Sequence, residues 1–226
     1  MKTIKTIALF AVCVACVFAG SRPSLGQDAG FYVKADLGGN WTKDIELREF
    51  FGTPLAPNSK ITLDPGIRFG MGGGYSFNDW FALEGEFGVF ENSIESVTGA
   101  SQVHNAYFGN VPFLVNAKLR WPTRSGFQLY LGAGVGFSET FFSVDQLAIN
   151  NVSLHGSDAN VVFAWQAFGG VQYIINKHIV VGAEYQFFAA DPASWEAEDV
   201  FGTLSNHMSV GPTQSQSVSL TFNYRF

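Results

Sequence analysis

The chain has 226 residues, 47% hydrophobic and 14% charged, with 19 Asp and Glu against 13 Lys and Arg and only two cysteines. Cys13 and Cys16 both fall in an N-terminal stretch that reads as an export signal, so the mature chain has no disulfide framework, thiol nucleophile or Cys-based metal site. Losing that stretch also removes Lys2, Lys5 and Arg22 and leaves 10 basic against 19 acidic residues, a net charge of −9 that excludes nucleic acid as a partner.

The signal itself runs over 1–26. Lys2 and Lys5 form a positive start, and the apolar run Ile7 to Phe18 is too short to span a bilayer as a helix. Val17-Phe18-Ala19 and Ser24-Leu25-Gly26 offer two cleavage sites, placing the cut somewhere in 19–26 and a single mature domain at 27–226. No mature segment has the roughly 18 continuous apolar residues of a membrane helix. The spacing of the apolar residues points to strands instead.

Eight segments alternate apolar with polar or small residues, the period-two signature of a strand. The first sets Phe31, Val33, Ala35, Leu37 and Trp41 against Lys34, Asp36, Gly38 and Asn40. The second sets Ile67, Phe69, Met71 and Tyr75 against Arg68, Gly70, Gly72 and Gly74, and the third Phe81, Leu83, Phe87 and Val89 against Ala82, Glu84, Glu86 and Gly88. In the fourth, Val111, Phe113, Val115, Leu119 and Trp121 oppose Asn110, Asn116, Lys118 and Arg120. The fifth opposes Phe127, Leu129, Leu131, Val135 and Phe137 to Gln128, Tyr130 and Gly132, Gly134 and Gly136. The sixth opposes Phe163, Trp165, Val171 and Tyr173 to Gln166, Gly170 and Gln172, and the seventh Ile179, Val181, Ala183, Tyr185 and Phe187 to Gly182, Glu184 and Gln186. The eighth has Val218, Leu220, Phe222, Tyr224 and Phe226 against Ser217, Ser219, Thr221, Asn223 and Arg225.

Short connections (76–80, 122–126, 175–178) alternate with long ones (42–62, 90–106, 139–160, 189–213). That asymmetry belongs to transmembrane barrels, with tight periplasmic turns and long extracellular loops. The expected fold is therefore an all-β, eight-stranded, antiparallel up-and-down transmembrane β-barrel with both termini periplasmic. The apolar face is too large and aromatic for one narrow interior, so it faces lipid and the charged, glycine-rich face lines the lumen. Tyr75, Trp80, Trp121, Phe127, Tyr173 and Phe226 would form one aromatic belt, and Trp41, Phe90, Phe137, Phe163 and Phe187 the other. Pro112 interrupts the fourth segment and predicts a bulge or a place near the outer rim; Pro65 marks the start of the second.

The last segment ends on a carboxy-terminal Phe226, two and four residues beyond Tyr224 and Phe222. This alternation resembles the C-terminal signal by which outer-membrane barrels are recognised by the barrel-assembly machinery. With the export signal, the whole mature chain resembles the small eight-stranded outer-membrane barrels typified by the membrane domain of outer-membrane protein A and the opacity-type adhesins. The resemblance implies a Gram-negative outer membrane, contact with its lipid and lipopolysaccharide, and a monomer. It does not imply an activity, because such barrels include structural proteins, adhesins, small-solute channels and a few enzymes.

Seven residues form the expected lumen charge network: Arg68, Glu84, Glu86, Lys118, Arg120, Glu184 and Arg225. At least one of Glu84 and Glu86 should pair with Arg68, Lys118 or Arg120, making a plug rather than a path. His207-Met208-Ser209 has the base–nucleophile logic of barrel enzymes that act on lipid A, but it falls in the fourth long loop with no acidic residue after it. Gly132 to Gly136 lacks dinucleotide-binding spacing, and His104, His155, His178 and His207 lie in separate connections; no cofactor or metal is expected. Loops 2 to 4 carry Glu91, Glu95, Glu139, Asp145, Asp158, Asp191, Glu196, Glu198 and Asp199 without Lys or Arg, a solvated surface or a face for a basic or cation-bridged ligand. Phe50, Phe51, Phe141, Phe142, Trp195 and Phe201 would serve there as contact anchors or a mouth plug. The reading is a non-enzymatic surface, envelope-integrity or adhesion protein; the alternative is a narrow channel for small or hydrophobic solutes.

Overall fold

Alternating residues need partners for their backbone polar groups, and a computed structural model shows where those partners are. It describes residues 29–50, 52–122, 126–149, 152–198 and 205–226. The signal segment 1–26, the tip of the 122–126 turn, Phe51, Asp199 and Phe201 lie outside these residues, as do the side chains of His155 and Glu198. Thirteen strands and no helix occur among the described residues, and every pairing is antiparallel. They are β1 (Gly30–Thr42), β2 (Ile45–Phe50), β3 (Thr53–Pro54), β4 (Lys60–Leu63), β5 (Gly66–Ser76), β6 (Phe81–Val97) and β7 (Ala100–Pro122). There follow β8 (Phe127–Ile149), β9 (Val152–Ile174), β10 (Ile179–Ala190), β11 (Ser194–Glu198), β12 (Ser205–Val210) and β13 (Thr213–Arg225).

The ladder closes on itself. Tyr32 faces Gly74, Gly74 faces Glu84, Glu84 faces Asn116 and Asn116 faces Gly134. The path continues through Gln166, Phe188 and Ser215 and returns to β1 at Thr42, ten residues beyond its start. Such an offset tilts the strands by about 35–45° to the barrel axis. Two short turns are fixed alike: Asn78 Oδ1 accepts from the backbone N–H of Trp80 and Phe81, and Asn176 Oδ1 from those of His178 and Ile179. A side chain that mimics a backbone turn explains why Asn stands at both.

The strand list departs from eight segments for two reasons. First, β6, β7, β8 and β9 run on through the stretches 90–106 and 139–160, which are not loops. The apolar face changes sides there in phase with the period of two, which breaks only further up, at bulges between Val144 and Leu147 on β8 and between Ala100 and Gln102 on β7. On β8, Phe127, Leu129, Leu131, Val135 and Phe137 are exposed, whereas further up Phe142, Val144, Leu147 and Ile149 are buried. Second, β1, β5, β10 and β13 continue as β2, β4, β11 and β12 across breaks at 43–44, 64–65, 191–193 and 211–212. Pro65, Pro192 and Pro212 stand at three breaks, where a residue without N–H cannot extend a ladder. Backbone bonds bridge them, among them Lys43 N–H to Gln214 O (2.9 Å) and Gly211 N–H to Glu46 O (2.8 Å). Beyond the breaks β2 still pairs with β4 and β12, β4 with β6, and β11 with β12.

The upper part thus forms a head with an apolar interior, including Ile45, Leu47, Ile61, Ile94, Phe108, Leu147 and Met208. Phe50, Phe142 and Trp195 belong to this core, whereas the half-buried Phe141 packs its ring against Gly109 of β7. The Trp195 ring lies against Phe108 and Phe142, its Nε1–H donating to Thr140 O at 3.2 Å. Phe90 is not in a lipid-facing belt: it is buried inside, stacked on Phe188 at 4.9 Å. Pro112 produces no bulge. The β6–β7 register holds from Phe87↔Phe113 to Phe90↔Asn110, and the ring packs towards Gly88.

The inverted faces make a measurable prediction. Phe108→Ala, in the head core, should cost about 3–5 kcal/mol of folding stability. Leu220→Ala, 75% exposed on the outer face, should cost a small fraction of that in urea titrations of the refolded protein in micelles. Equal costs would contradict the assignment of faces.

Candidate functional site

Below the head the interior is polar, and its side chains come from facing strands at matched heights. Room for them is made by small residues. A Cβ on Gly170 would lie 2.7 Å from the Tyr130 hydroxyl, and one on Gly74 would lie 2.8 Å from that of Tyr32, so both phenols depend on glycine. From β13, Ser215, Ser217, Ser219 and Thr221 line the lumen with little bulk.

Three ionic layers fill the space. Nearest the short turns, Glu84 Oε1 accepts from the Tyr32 hydroxyl (2.6 Å) and Lys118 Nζ (3.1 Å). Above them Lys34 Nζ donates to both oxygens of Glu184 (2.9 and 3.1 Å), and the Tyr130 hydroxyl adds a third bond at 3.1 Å. Higher still, Arg68 bridges Asp36 and Glu86, the latter at 2.6 Å, and also reaches Ser219. Glu86 Oε2 further accepts from Asn116 (2.8 Å) and Gln166 (3.1 Å). Aromatic faces complete the cations: Lys118 lies over Tyr130, Arg68 over Phe90 and Lys34 over Phe168. A layer of neutral amides and hydroxyls, Asn40, Thr42, Asn92 and Ser215 with Asn110 and Thr140 alongside, separates the charges from the apolar head.

Of the seven charged residues named from the sequence, Arg68, Glu84, Glu86, Lys118 and Glu184 thus enter ionic layers. Glu184 faces Ser219, six positions along β13 from Arg225, so its bonds go across the lumen to Lys34 rather than along to Arg225. Arg120 donates to Asn78 O at 2.6 Å, and Arg225 stands at the short-turn mouth, its carbonyl 2.9 Å from His178 Nδ1. Lys34 and Asp36 are central, although the sequence placed them inward without naming them in the network. Tyr32, Asn116 and Gln166 were also unnamed; stepping by two from Lys34, Lys118 and Gly170 finds them.

Elsewhere Phe222, Tyr224 and Phe226 lie exposed on the outer face, Tyr224 packing edge-on against Phe226 and flat on His178. His207-Met208-Ser209 is not in a loop but on β12, with Met208 in the head core between an exposed His207 and a half-buried Ser209. Glu91, Glu95, Asp145, Asp158, Asp191 and Glu196 are exposed and Glu139 half-buried. Among the described residues no three His, Cys, Asp or Glu converge on a metal-sized site.

A closed antiparallel ladder with apolar residues outside and an ionic interior defines the class of outer-membrane β-barrels. The chain belongs to the outer membrane protein beta-barrel domain family, whose profile matches residues 7–226. No curated protein sequence matches it. Among solved structures it is similar to the outer membrane protein OprG from Pseudomonas aeruginosa (TM-score 0.61, 19% identity, covering 89% of this chain and 98% of that one). Neisserial surface protein A is similar too (0.55, 16%, 87% and 97%), as is the outer membrane protease OmpT from Escherichia coli (0.54, 8%, 91% and 99%). At these identities the likeness is one of fold, and the protein is of the bacterial outer membrane.

Glu86 accepts from three donors, so removing it leaves Asn116 and Gln166 short of an acceptor and Arg68 with only one of its two carboxylates in a buried interior. Glu86→Ala should cost about 3–5 kcal/mol in a urea titration in micelles. Glu46→Ala removes an exposed pair with Arg48 and should cost under about 1 kcal/mol. Indistinguishable midpoints would show the lumen carboxylates to be wet and unpaired.

Proposed function

We propose that this protein is a non-enzymatic surface protein, an eight-stranded up-and-down barrel whose lumen is plugged and whose rigid head serves envelope integrity or adhesion. The eight wall strands are those on the closed circuit β1, β5, β6, β7, β8, β9, β10 and β13, and the remaining five belong to the head. One observation carries the reading: side chains fill the interior continuously, from Glu84–Lys118 at the short turns through Arg68–Glu86 to the Phe108–Trp195–Phe142 cluster. The row of small residues on β13, Ser215 to Thr221, is covered from across the lumen, as where Arg68 bonds to Ser219, which favours a plug over a path. In planar bilayers the refolded protein should show no steady ionic current. Stepwise conductance would instead favour a narrow channel for small or hydrophobic solutes.

The termini and short turns face the periplasm in this reading, and the acidic head faces outward, suited to divalent cations bridging to lipopolysaccharide phosphates or to a basic partner. Cysteines at Asn58 and Thr98, on the head, should label on intact cells, and cysteines at Asp79 and Lys177 should not. Labelling of either turn from outside would reverse the orientation. Phe226 is the element offered to the barrel-assembly machinery. Its deletion should reduce the amount of heat-modifiable barrel in the outer membrane, and unchanged levels would remove that role.

A further inference from the structure

A stretch of the lipid-facing wall is hollowed. A groove of about 580 Å³ crosses the wall from β8 to β5 between two neighbouring rungs of outward side chains. The lower rung passes from Phe127 on β8 to Ala35 on β1, and the upper from Val171 on β9 to Phe69 on β5, pair by pair along the ladder. Ala35 and Ala183 put only a methyl group outward, and the longer Leu37, Leu220 and Phe222 stand around them.

Rungs lie at right angles to the strands, so a wall tilted by about 35–45° carries them obliquely up the barrel. The five steps from β8 to β5, at about 4.8 Å each, lift the groove about 15 Å from the short-turn rim towards the head. That rise is half of a hydrocarbon core of about 30 Å, the depth of one leaflet. An extended acyl chain has the length and the chemistry to lie along it.

A charge stands at the lower end. Tyr173 and Val181 face each other on the lower rung, and the turn that joins them, pinned by Asn176 Oδ1, carries the exposed Lys177. No Asp or Glu occurs from Tyr173 to Ala183, so nothing in that hairpin competes for the ammonium. A lysine keeps its head in water while its stem lies on apolar surface, and it meets phosphate as a point charge.

We propose that the groove seats one acyl chain of an anionic phospholipid, whose phosphate meets Lys177 below it. The lining holds the chain against the wall at a fixed slant, so this lipid stays while its neighbours exchange. The choice of phospholipid rests on the periplasmic short turns proposed above. Labelling on cells tests that placement and lipid binding in vitro tests the groove, so the two fail separately.

The refolded protein, released from micelles containing phosphatidylglycerol into a native mass spectrometer, should retain one lipid per barrel. Phosphatidylcholine with the same chains should be held roughly fivefold less, and Lys177→Gln should erase that preference. Ala183→Phe, which fills the groove from its exposed face, should weaken retention roughly tenfold. Ala133→Phe, exposed on β8 outside the groove, should leave retention unchanged. Wild-type crystals grown with brominated-chain phosphatidylglycerol should show anomalous peaks between Phe127 and Leu37, an arm that needs no variant to fold. Equal retention in Ala133→Phe and Ala183→Phe, a headgroup preference that survives Lys177→Gln, or bromine only elsewhere on the wall would each overturn the site.

Discussion

A β-strand sends alternate side chains to opposite faces and cannot exchange those faces without an extra residue. In this protein the medium outside the wall changes from lipid to water partway along strands that do not stop. Of the four strands that run through unbroken, β7 and β8 show the result most plainly: inward Lys118 and Asn116 give way to Phe108 and Ala106, and inward Gln128 and Tyr130 to Phe142 and Val144. The sequence, not the backbone, makes the inversion.

Both halves of the interior follow from that exchange. Where lipid lies outside, polar residues have nowhere to go but inward, and the narrow lumen makes each buried charge expensive unless it is paired. The barrel answers by giving Glu84, Glu86 and Glu184 several donors each from different strands, so these bonds also tie together strands that share no ladder. Lys34 on β1 reaches Glu184 on β10, and Gln166 on β9 reaches Glu86 on β6. Where water lies outside, the same positions take up apolar residues and the interior becomes an ordinary hydrophobic core. Asn40, Asn92 and Asn110 stand between the two, since an amide can face an ionic layer on one side and packed rings on the other.

The antiparallel all-β nature of the wall and the inward placement of its charges were legible because one period held across 30–41, 67–75, 81–89 and their counterparts. The head was hidden by the same rule. Reading apolar residues as outward makes Glu139-Thr140-Phe141-Phe142 look like the end of a strand, when the ladder continues and Phe142 points in. The short segments β2, β4, β11 and β12 were hidden by Pro65, Pro192 and Pro212, which mark breaks within an arm but read from sequence as loop. In the lumen, alternation gave the facing of each residue but not its partner. Partners depend on the ten-residue stagger of the ladder, which sets Glu184 beside Lys34 rather than Arg225, and no single strand encodes it.

The breaks at 43–44, 64–65, 191–193 and 211–212 fall on four strands that are neighbours in the ladder, β5, β1, β13 and β10, while the opposite half of the wall is seamless. The molecule is thus divided lengthwise into a fixed half and a jointed half. Segments 45–63 and 194–210 are cassettes: each enters and leaves the wall at a joint, and new sequence between the joints alters no rung of the spanning ladder. Segments 90–106 and 139–160 have less freedom, because an inserted residue there has to be taken up by a bulge, as it is between Val144 and Leu147 and between Ala100 and Gln102. Variation in the head, whether by natural drift or by grafting a foreign epitope, therefore has a preferred side.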